Sequence, residues 1–104
     1  MEPQVVNRPE KSRYEILAGD DGTETAGFAE YHLSAGEIAF IHTETDPRFA
    51  GRGLGGLLAR GALDDARARG LHVLPYCPFI RGWIGKHPEY ADLVPEARRA
   101  HFGL

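Results

Sequence analysis

The densest cluster of residues suited to chemistry is a glycine-rich turn, Gly51-Arg52-Gly53-Leu54-Gly55-Gly56. Glycines let the backbone approach an anion closely, and the first amides of a following helix have no partners within that helix. The helix dipole adds about half a positive charge at the same place. Arg52 adds a full positive charge, and no acidic residue opens the segment that follows. The turn therefore predicts a phosphate-binding site; the alternative is a tight turn that one or two glycines would satisfy.

Two nucleotide-binding patterns can be tested against this turn. Gly51, Gly53 and Gly56 satisfy G-x-G-x-x-G, but that fingerprint also requires an acidic residue about 20 positions further on, after the next strand. No Asp or Glu occurs between Asp65 and Glu89. The Walker A pattern fails because no Lys-Ser or Lys-Thr follows the glycines. Neither a dinucleotide-binding site nor a Walker A site is therefore predicted.

His42 and Glu44 are the second candidate group, and they lie in a segment with strand-like alternation. A period of two predicts that they share one face with Ile38 and Phe40. On that face the strand would begin in the apolar core and end at a polar, solvent-accessible site. Histidine is a common general base at neutral pH, and Glu44 could orient it or bind an amine. A hydrogen-bonded histidine that merely lines the strand is the alternative. The intervening residues, Ala39, Ile41, Thr43 and Thr45, are predicted on the opposite face.

The elements that position these residues follow the order β-β-β-α-β-α. Turn signals separate three strands in an antiparallel meander, and a helix then crosses to a strand that should pair parallel with the third. The strands are predicted at Ser12–Leu17, Glu24–Ser34, Ile38–Thr45 and Leu71–Tyr76, and the helices at Leu54–Arg69 and Phe79–Lys86, with a helical turn at Glu89–Leu93. Residues 1–10 form an entry segment that can add a short edge strand, and residues 95–104 form a polar tail. The sequence thus predicts one α/β domain, 1–104, with a mixed sheet covered by helices.

Composition narrows the class of protein. The chain has 104 residues, 42% of them hydrophobic and 26% charged, with a formal net charge of -3, which argues against nucleic acid or an anionic membrane as the main partner. One cysteine cannot form an internal disulfide and makes a structural zinc cluster improbable, so no metal centre is predicted. No apolar run approaches the roughly 20 residues of a membrane helix. We expect a cytoplasmic enzyme or binding domain.

Three stretches around the turn together resemble a known family. Asp46-Pro47-x-Phe49-x-Gly51-Arg52-Gly53-Leu54-Gly55, followed by Leu57-Leu58-Ala59, resembles the acetyl-CoA pyrophosphate loop of the GNAT N-acetyltransferase superfamily. The other stretches are His42-Thr43-Glu44 before the loop and, after it, Pro75-Tyr76-Cys77-Pro78-Phe79-Ile80-Arg81-Gly82-Trp83-Ile84 with His87-Pro88-Glu89-Tyr90. They resemble the minimal single-domain GNAT-like group over about Tyr14 to Leu93, nearly the whole chain.

The resemblance implies a cofactor site made largely of backbone. Amides of the loop would bind the pyrophosphate, the third strand would pair with the pantetheine arm, and the thioester would lie where the third and fourth strands splay apart. Ala50 stands where the superfamily usually has Gln or Arg, so amides rather than that side chain would hold the phosphate. The cofactor-binding residues implied are Thr43, Thr45, Gly51, Arg52, Gly53, Leu54, Gly55 and Gly56.

The resemblance also implies a role for Cys77, which ends the fourth strand beside the expected acetyl group. It could receive the acetyl group covalently or protonate the departing CoA sulfur; taken alone, a single cysteine is more often a small buried hydrophobe. The implied activity is acetyl transfer from acetyl-CoA to a small or protein amine, with Cys77, His42 and Glu44 near the reaction. The alternative is a CoA-binding module or sensor without turnover. The acceptor and the oligomeric state carry no sequence signal.

Overall fold

The computed structural model describes residues 2–104 and contains a five-stranded mixed sheet in the order β1-β2-β3-β4-β5. The strands are β1 (Gln4–Arg8), β2 (Arg13–Ala18), β3 (Glu24–Ser34), β4 (Glu37–Thr45) and β5 (His72–Pro75). The first four pair antiparallel, and β5 pairs parallel with β4. The predicted mixed sheet is therefore confirmed, with β1 as an edge strand; Met1, where the predicted entry segment begins, lies outside the described residues.

The helices follow the predicted order with small changes of boundary. They are α1 (Leu54–Ala68), α2 (Pro78–Lys86) and α3 (Glu96–Arg99), with 3-10 segments at Pro9–Lys11, Pro47–Phe49, Pro88–Leu93 and Ala100–Phe102. The segment expected as a polar tail is thus partly helical, and it buries Phe102. Within residues 2–104, none of the helices combines the length and the apolar character that crossing a membrane requires.

α1 packs across the sheet through small residues. Its buried stripe is made of Leu54, Leu58, Ala59, Ala62, Leu63 and Ala66. A Cβ at Gly61 would lie 2.7 Å from Val5 Cβ, so glycine there lets the helix approach β1 closely. The Tyr14 hydroxyl donates a hydrogen bond to Asp65, which ties β2 to the same helix. Leu57, by contrast, is 44% exposed, because it lies on the side of the helix opposite the buried stripe.

A β-bulge in β4 changes which residues share a face. Tyr31 pairs with Phe40 and Glu30 pairs with His42, so Ile41 is an extra residue without a partner on β3. Directly opposite residues on paired strands project to the same face, and a bulge shifts that alternation by one residue. His42 therefore shares its face with Glu30, and not with Phe40.

The bulge corrects one prediction about the candidate site. Strict alternation predicted Ile38, Phe40, His42 and Glu44 on one face, which is wrong beyond Phe40. Thr43 pairs with Ala29, which is fully buried on the face that α1 covers. Thr43 thus continues the core face of β4, while His42 and Glu44 lie together on the other face.

Candidate active site

The cleft begins where β4 and β5 stop pairing. Their parallel register ends at Phe40 opposite Pro75, and one further hydrogen bond runs from the Cys77 amide to the Phe40 carbonyl, at 2.8 Å. β4 continues to Thr45 with β3 on one side only. Its other edge is left without a strand partner in the described part of the chain. An extended ligand could pair with that edge as an added strand would.

Cys77 lies at the base of this cleft. Its side chain is buried, with the residue only 3% exposed. The residue is the N-cap of α2, and Pro78 occupies the first helical position. Thr43 Oγ1 lies 3.2 Å from Cys77 Sγ, so the two side chains meet across the cleft just beyond the last backbone pair.

The glycine-rich turn forms the other end of the cleft. Gly51 and Gly53 have φ values of +82° and +70°, a left-handed conformation that glycine adopts readily. A Cβ at Gly55 would come within 2.8 Å of the Phe79 ring, whereas one at Gly56 would meet Trp83 Nε1 at an ordinary 3.5 Å. Turn geometry and packing therefore account for three of the four glycines, and neither requires glycine at position 56.

A cavity of about 300 Å³ lies over this turn. No side chain caps the N-terminus of α1, and its first turn contains no acidic residue, so amide groups and the positive end of the helix dipole are available to a ligand. The cavity joins the turn to the end of β4. It is lined by Thr45, Phe49, Ala50, Gly51, Gly53, Leu54, Gly55, Gly56 and Phe79.

Arg52 does not line that cavity. It lines a neighbouring, larger one of about 480 Å³ together with Asp20, Asp21 and Glu24, and its guanidinium lies 5.3 Å from the centre of the Phe49 ring. Hydrogen bonds from the Thr23 side chain and backbone hold the pKa of Asp21 below its usual range, so that carboxylate is charged at neutral pH. A cavity with this lining disfavours phosphate, and we assign the anion site to the smaller cavity.

His42 and Glu44 form a separate polar group on the opposite face of β4. His42 Nε2 lies 3.6 Å from Glu44 Oε2, and both side chains are more than half exposed. The Phe28 ring, from β3, is centred 6.2 Å from the imidazole. Among residues 2–104, neither His42 nor Glu44 hydrogen-bonds to Cys77; that contact is made by Thr43. The three predicted catalytic residues are therefore divided: His42 and Glu44 lie on one face of β4, and Cys77, at the start of α2, contacts Thr43 on the other.

Two aromatic residues at the cavity were not predicted as site residues. Phe79, in the first turn of α2, is 43% exposed and lies against Gly55. Phe49 is buried between the two cavities and has the guanidinium groups of Arg48 and Arg52 near its ring. Each residue belongs to a motif that carried the family resemblance, so their presence was visible in the sequence. Their contact with the cavity depends on how α1 and α2 pack.

Comparison with known proteins agrees with this architecture. The family model for GCN5-related N-acetyl-transferases matches residues 13–93, most of the chain. No curated protein sequence matches this chain. A GCN5-like protein from Staphylococcus aureus, solved by NMR in solution, aligns with a TM-score of 0.66 at 19% identity, covering 88% of this chain and 87% of that one. At that identity the likeness establishes the fold, and the family match establishes the class. The chain therefore belongs to the family of GCN5-related N-acetyl-transferases and is an acyltransferase.

Proposed function

We propose that this protein transfers the acetyl group of acetyl-CoA to an amine. The cofactor's pyrophosphate binds the amides of the loop from Gly51 to Gly56, and its pantetheine arm follows the free edge of β4 through Thr43 and Thr45. The thioester then lies near Cys77. The observation that carries this proposal is the continuity of the site. The cavity at the glycine loop includes Thr45, and Thr43, two residues earlier on the same strand, touches Cys77.

The proposed reaction needs a base for the amine and a proton for the leaving CoA sulfur. The amine nitrogen attacks the carbonyl carbon, so that a C–N bond forms and the C–S bond to CoA breaks. The nitrogen loses one proton, for which His42 is the proposed acceptor, with Glu44 beside it. Because both lie on the face of β4 opposite to Thr43 and Cys77, the amine would approach the thioester at the free edge of β4 from that face. The CoA sulfur gains one proton, for which Cys77 is the proposed donor.

A two-step route uses the same residues. The Cys77 sulfur first attacks the thioester and takes the acetyl group, and its proton leaves with CoA. The amine then takes the acetyl group from Cys77 and returns a proton to the sulfur. In this route the enzyme carries one acetyl group between the steps, which distinguishes it from direct transfer.

The experiment is incubation of the protein with acetyl-CoA, followed by intact-mass spectrometry, with and without an acceptor panel. The panel holds a polyamine, a lysine-containing peptide, a peptide with a free N-terminus and a small arylamine. We expect release of CoA and one acetylated acceptor class. An acetyl group on Cys77 that an amine discharges indicates the two-step route, and Cys77→Ser is the matched control. Tight CoA binding with no acetylation of any amine or of the protein would contradict the proposal and favour the non-catalytic CoA-binding module.

A further inference from the structure

The contact between Thr43 and Cys77 is not explained by either residue's part in the sheet. The Cys77 amide is already bonded to the Phe40 carbonyl, and the Cys77 carbonyl accepts from the Arg81 amide. Backbone pairing between β4 and β5 has ended at Pro75. The remaining link across the cleft is the 3.2 Å contact between Thr43 Oγ1 and Cys77 Sγ. A contact between two side chains therefore takes the place of a further backbone hydrogen bond between the two chain segments.

The position of Thr43 follows from the bulge at Ile41. Without the extra residue, Thr43 would project with Ala39 away from the core face, and His42 would face the core. With it, Thr43 lies on the face of buried Ala29, to which it is directly opposite. A β-branched side chain in a strand has few rotamers, so the hydroxyl is held in place. The bulge thus places the Thr43 hydroxyl, and not the His42 imidazole, at the base of the cleft.

A threonine hydroxyl suits a cysteine sulfur in this setting. It supplies one donated hydrogen bond and two acceptor lone pairs, whereas a thiol is itself a weak donor and a weak acceptor. Among residues 2–104, Thr43 is the one side chain hydrogen-bonded to Cys77. A hydrogen bond donated to the sulfur fixes the direction in which it presents its remaining lone pairs.

We propose that Thr43 is a positioning residue that donates a hydrogen bond to Cys77 Sγ and orients the sulfur toward the cleft. The contribution of this contact to turnover rests on the proposed function, but the contact itself does not. The sequence resemblance assigned Thr43 to the cofactor. In this proposal the backbone of Thr43 remains available to pair with the pantetheine arm, while its side-chain hydroxyl hydrogen-bonds to Cys77.

The first test measures the reactivity of the Cys77 sulfur at one fixed pH, without any cofactor. Alkylation by iodoacetamide is followed by intact-mass spectrometry in the wild type, Thr43→Val and Thr43→Ser, with Cys77→Ser as the blank. Valine keeps the shape of threonine and removes the hydroxyl, and serine keeps the hydroxyl. We expect Thr43→Val to react about fivefold more slowly, because the sulfur is no longer held toward the cleft by a hydrogen bond, and Thr43→Ser to follow the wild type. Equal alkylation rates for Thr43→Val and the wild type would overturn the proposal. Thr43→Ala serves as the hydroxyl-free variant if Thr43→Val does not fold.

The second test separates positioning from cofactor binding. We expect Thr43→Val to lower kcat about tenfold, while KM for acetyl-CoA stays within twofold and Thr43→Ser recovers most of the activity. A raised KM with unchanged kcat would assign the hydroxyl to the cofactor and overturn the proposal. A wild-type protein that neither binds CoA nor acetylates an amine would refute the proposed function instead. The alkylation rates would still decide the role of Thr43 in that case.

Discussion

His42 and Glu44 lie side by side on one face of β4, with 3.6 Å between Nε2 and Oε2, while Thr43 between them faces the opposite way and touches Cys77. One short stretch of strand thus presents an imidazole and a carboxylate to one face of the sheet and a hydroxyl to the other. Substitutions can test this division and the proposed anion site at the other end of the cleft.

Substitution at His42 tests its proposed part in proton transfer. We expect His42→Gln to lower kcat by about 100-fold or more, since a positioned general base contributes roughly that factor, and to leave CoA affinity unchanged. Glu44→Gln should cost at most about fivefold, because the contact between the two side chains is 3.6 Å long and exposed to water. Steady-state kinetics at saturating acetyl-CoA measures both. A kcat for His42→Gln within twofold of the wild type would show that the residue only lines the strand.

Gly56 offers a test of the pyrophosphate site that does not disturb the fold. It is the third residue of α1, a position at which a carboxylate interacts favourably with the helix dipole. A Cβ at this position would lie at an ordinary van der Waals distance from Trp83. We expect Gly56→Asp to weaken CoA binding at least tenfold relative to Gly56→Asn, which differs mainly in charge, while thermal stability does not fall. Calorimetric titration measures the affinity, and the difference should shrink with added salt. Equal affinities of the two variants would place the pyrophosphate elsewhere.

Arg52 should matter less than the amides around it. Its guanidinium lies beside Phe49 in the acidic cavity, so Arg52→Ala should weaken CoA binding about threefold or less, as expected for a screened, indirect charge. Arg48→Ala is the control, because Asp46 already pairs with that guanidinium at 3.0 Å, and no change in affinity is expected. A tenfold loss in Arg52→Ala would mean that the side chain turns to the phosphate when the cofactor binds.

Glu15 should make stability depend on pH in the acid range. Burial opposes its ionisation, but hydrogen bonds from Arg13 and Arg8 and the charges of Arg13 and Lys11 outweigh that cost, so its pKa is lowered from 4.5. A lowered pKa stabilises the fold above about pH 4.5, and this stabilisation is lost as pH falls through the folded-state value. We expect Glu15→Gln to lower the free energy of unfolding by about 1–2 kcal/mol at pH 7, with the difference from the wild type narrowing in acid.

Urea unfolding at pH 7 and in acid checks this expectation. Glu30→Gln is a suitable control: Glu30 lies on the neighbouring strand and forms no ion pair within the described residues. The control should change stability by about 0.5 kcal/mol or less. A loss in Glu15→Gln that is the same at both pH values would exclude the charge as its cause.

The sequence by itself determined the order of the elements and the glycine-rich turn before α1. Strand and helix periods are local, so β3 was predicted with its observed bounds and α1 to within one residue. The glycines from Gly51 to Gly56 specify a turn and an uncapped helix start through backbone chemistry alone. The glycine loop, taken together with His42-Thr43-Glu44 and the motifs that follow Pro75, was sufficient to indicate the family.

Only the tertiary structure decided which side chains meet. The bulge at Ile41 arises from the pairing of two strands, and a single extra residue reverses the face of every side chain beyond it. For that reason the sequence placed His42 on the core face, where Thr43 lies beside Cys77. The direction of Arg52 likewise depends on the packing of neighbouring Phe49 and on the acidic turn at Asp20 and Asp21, which is distant in sequence from the glycines.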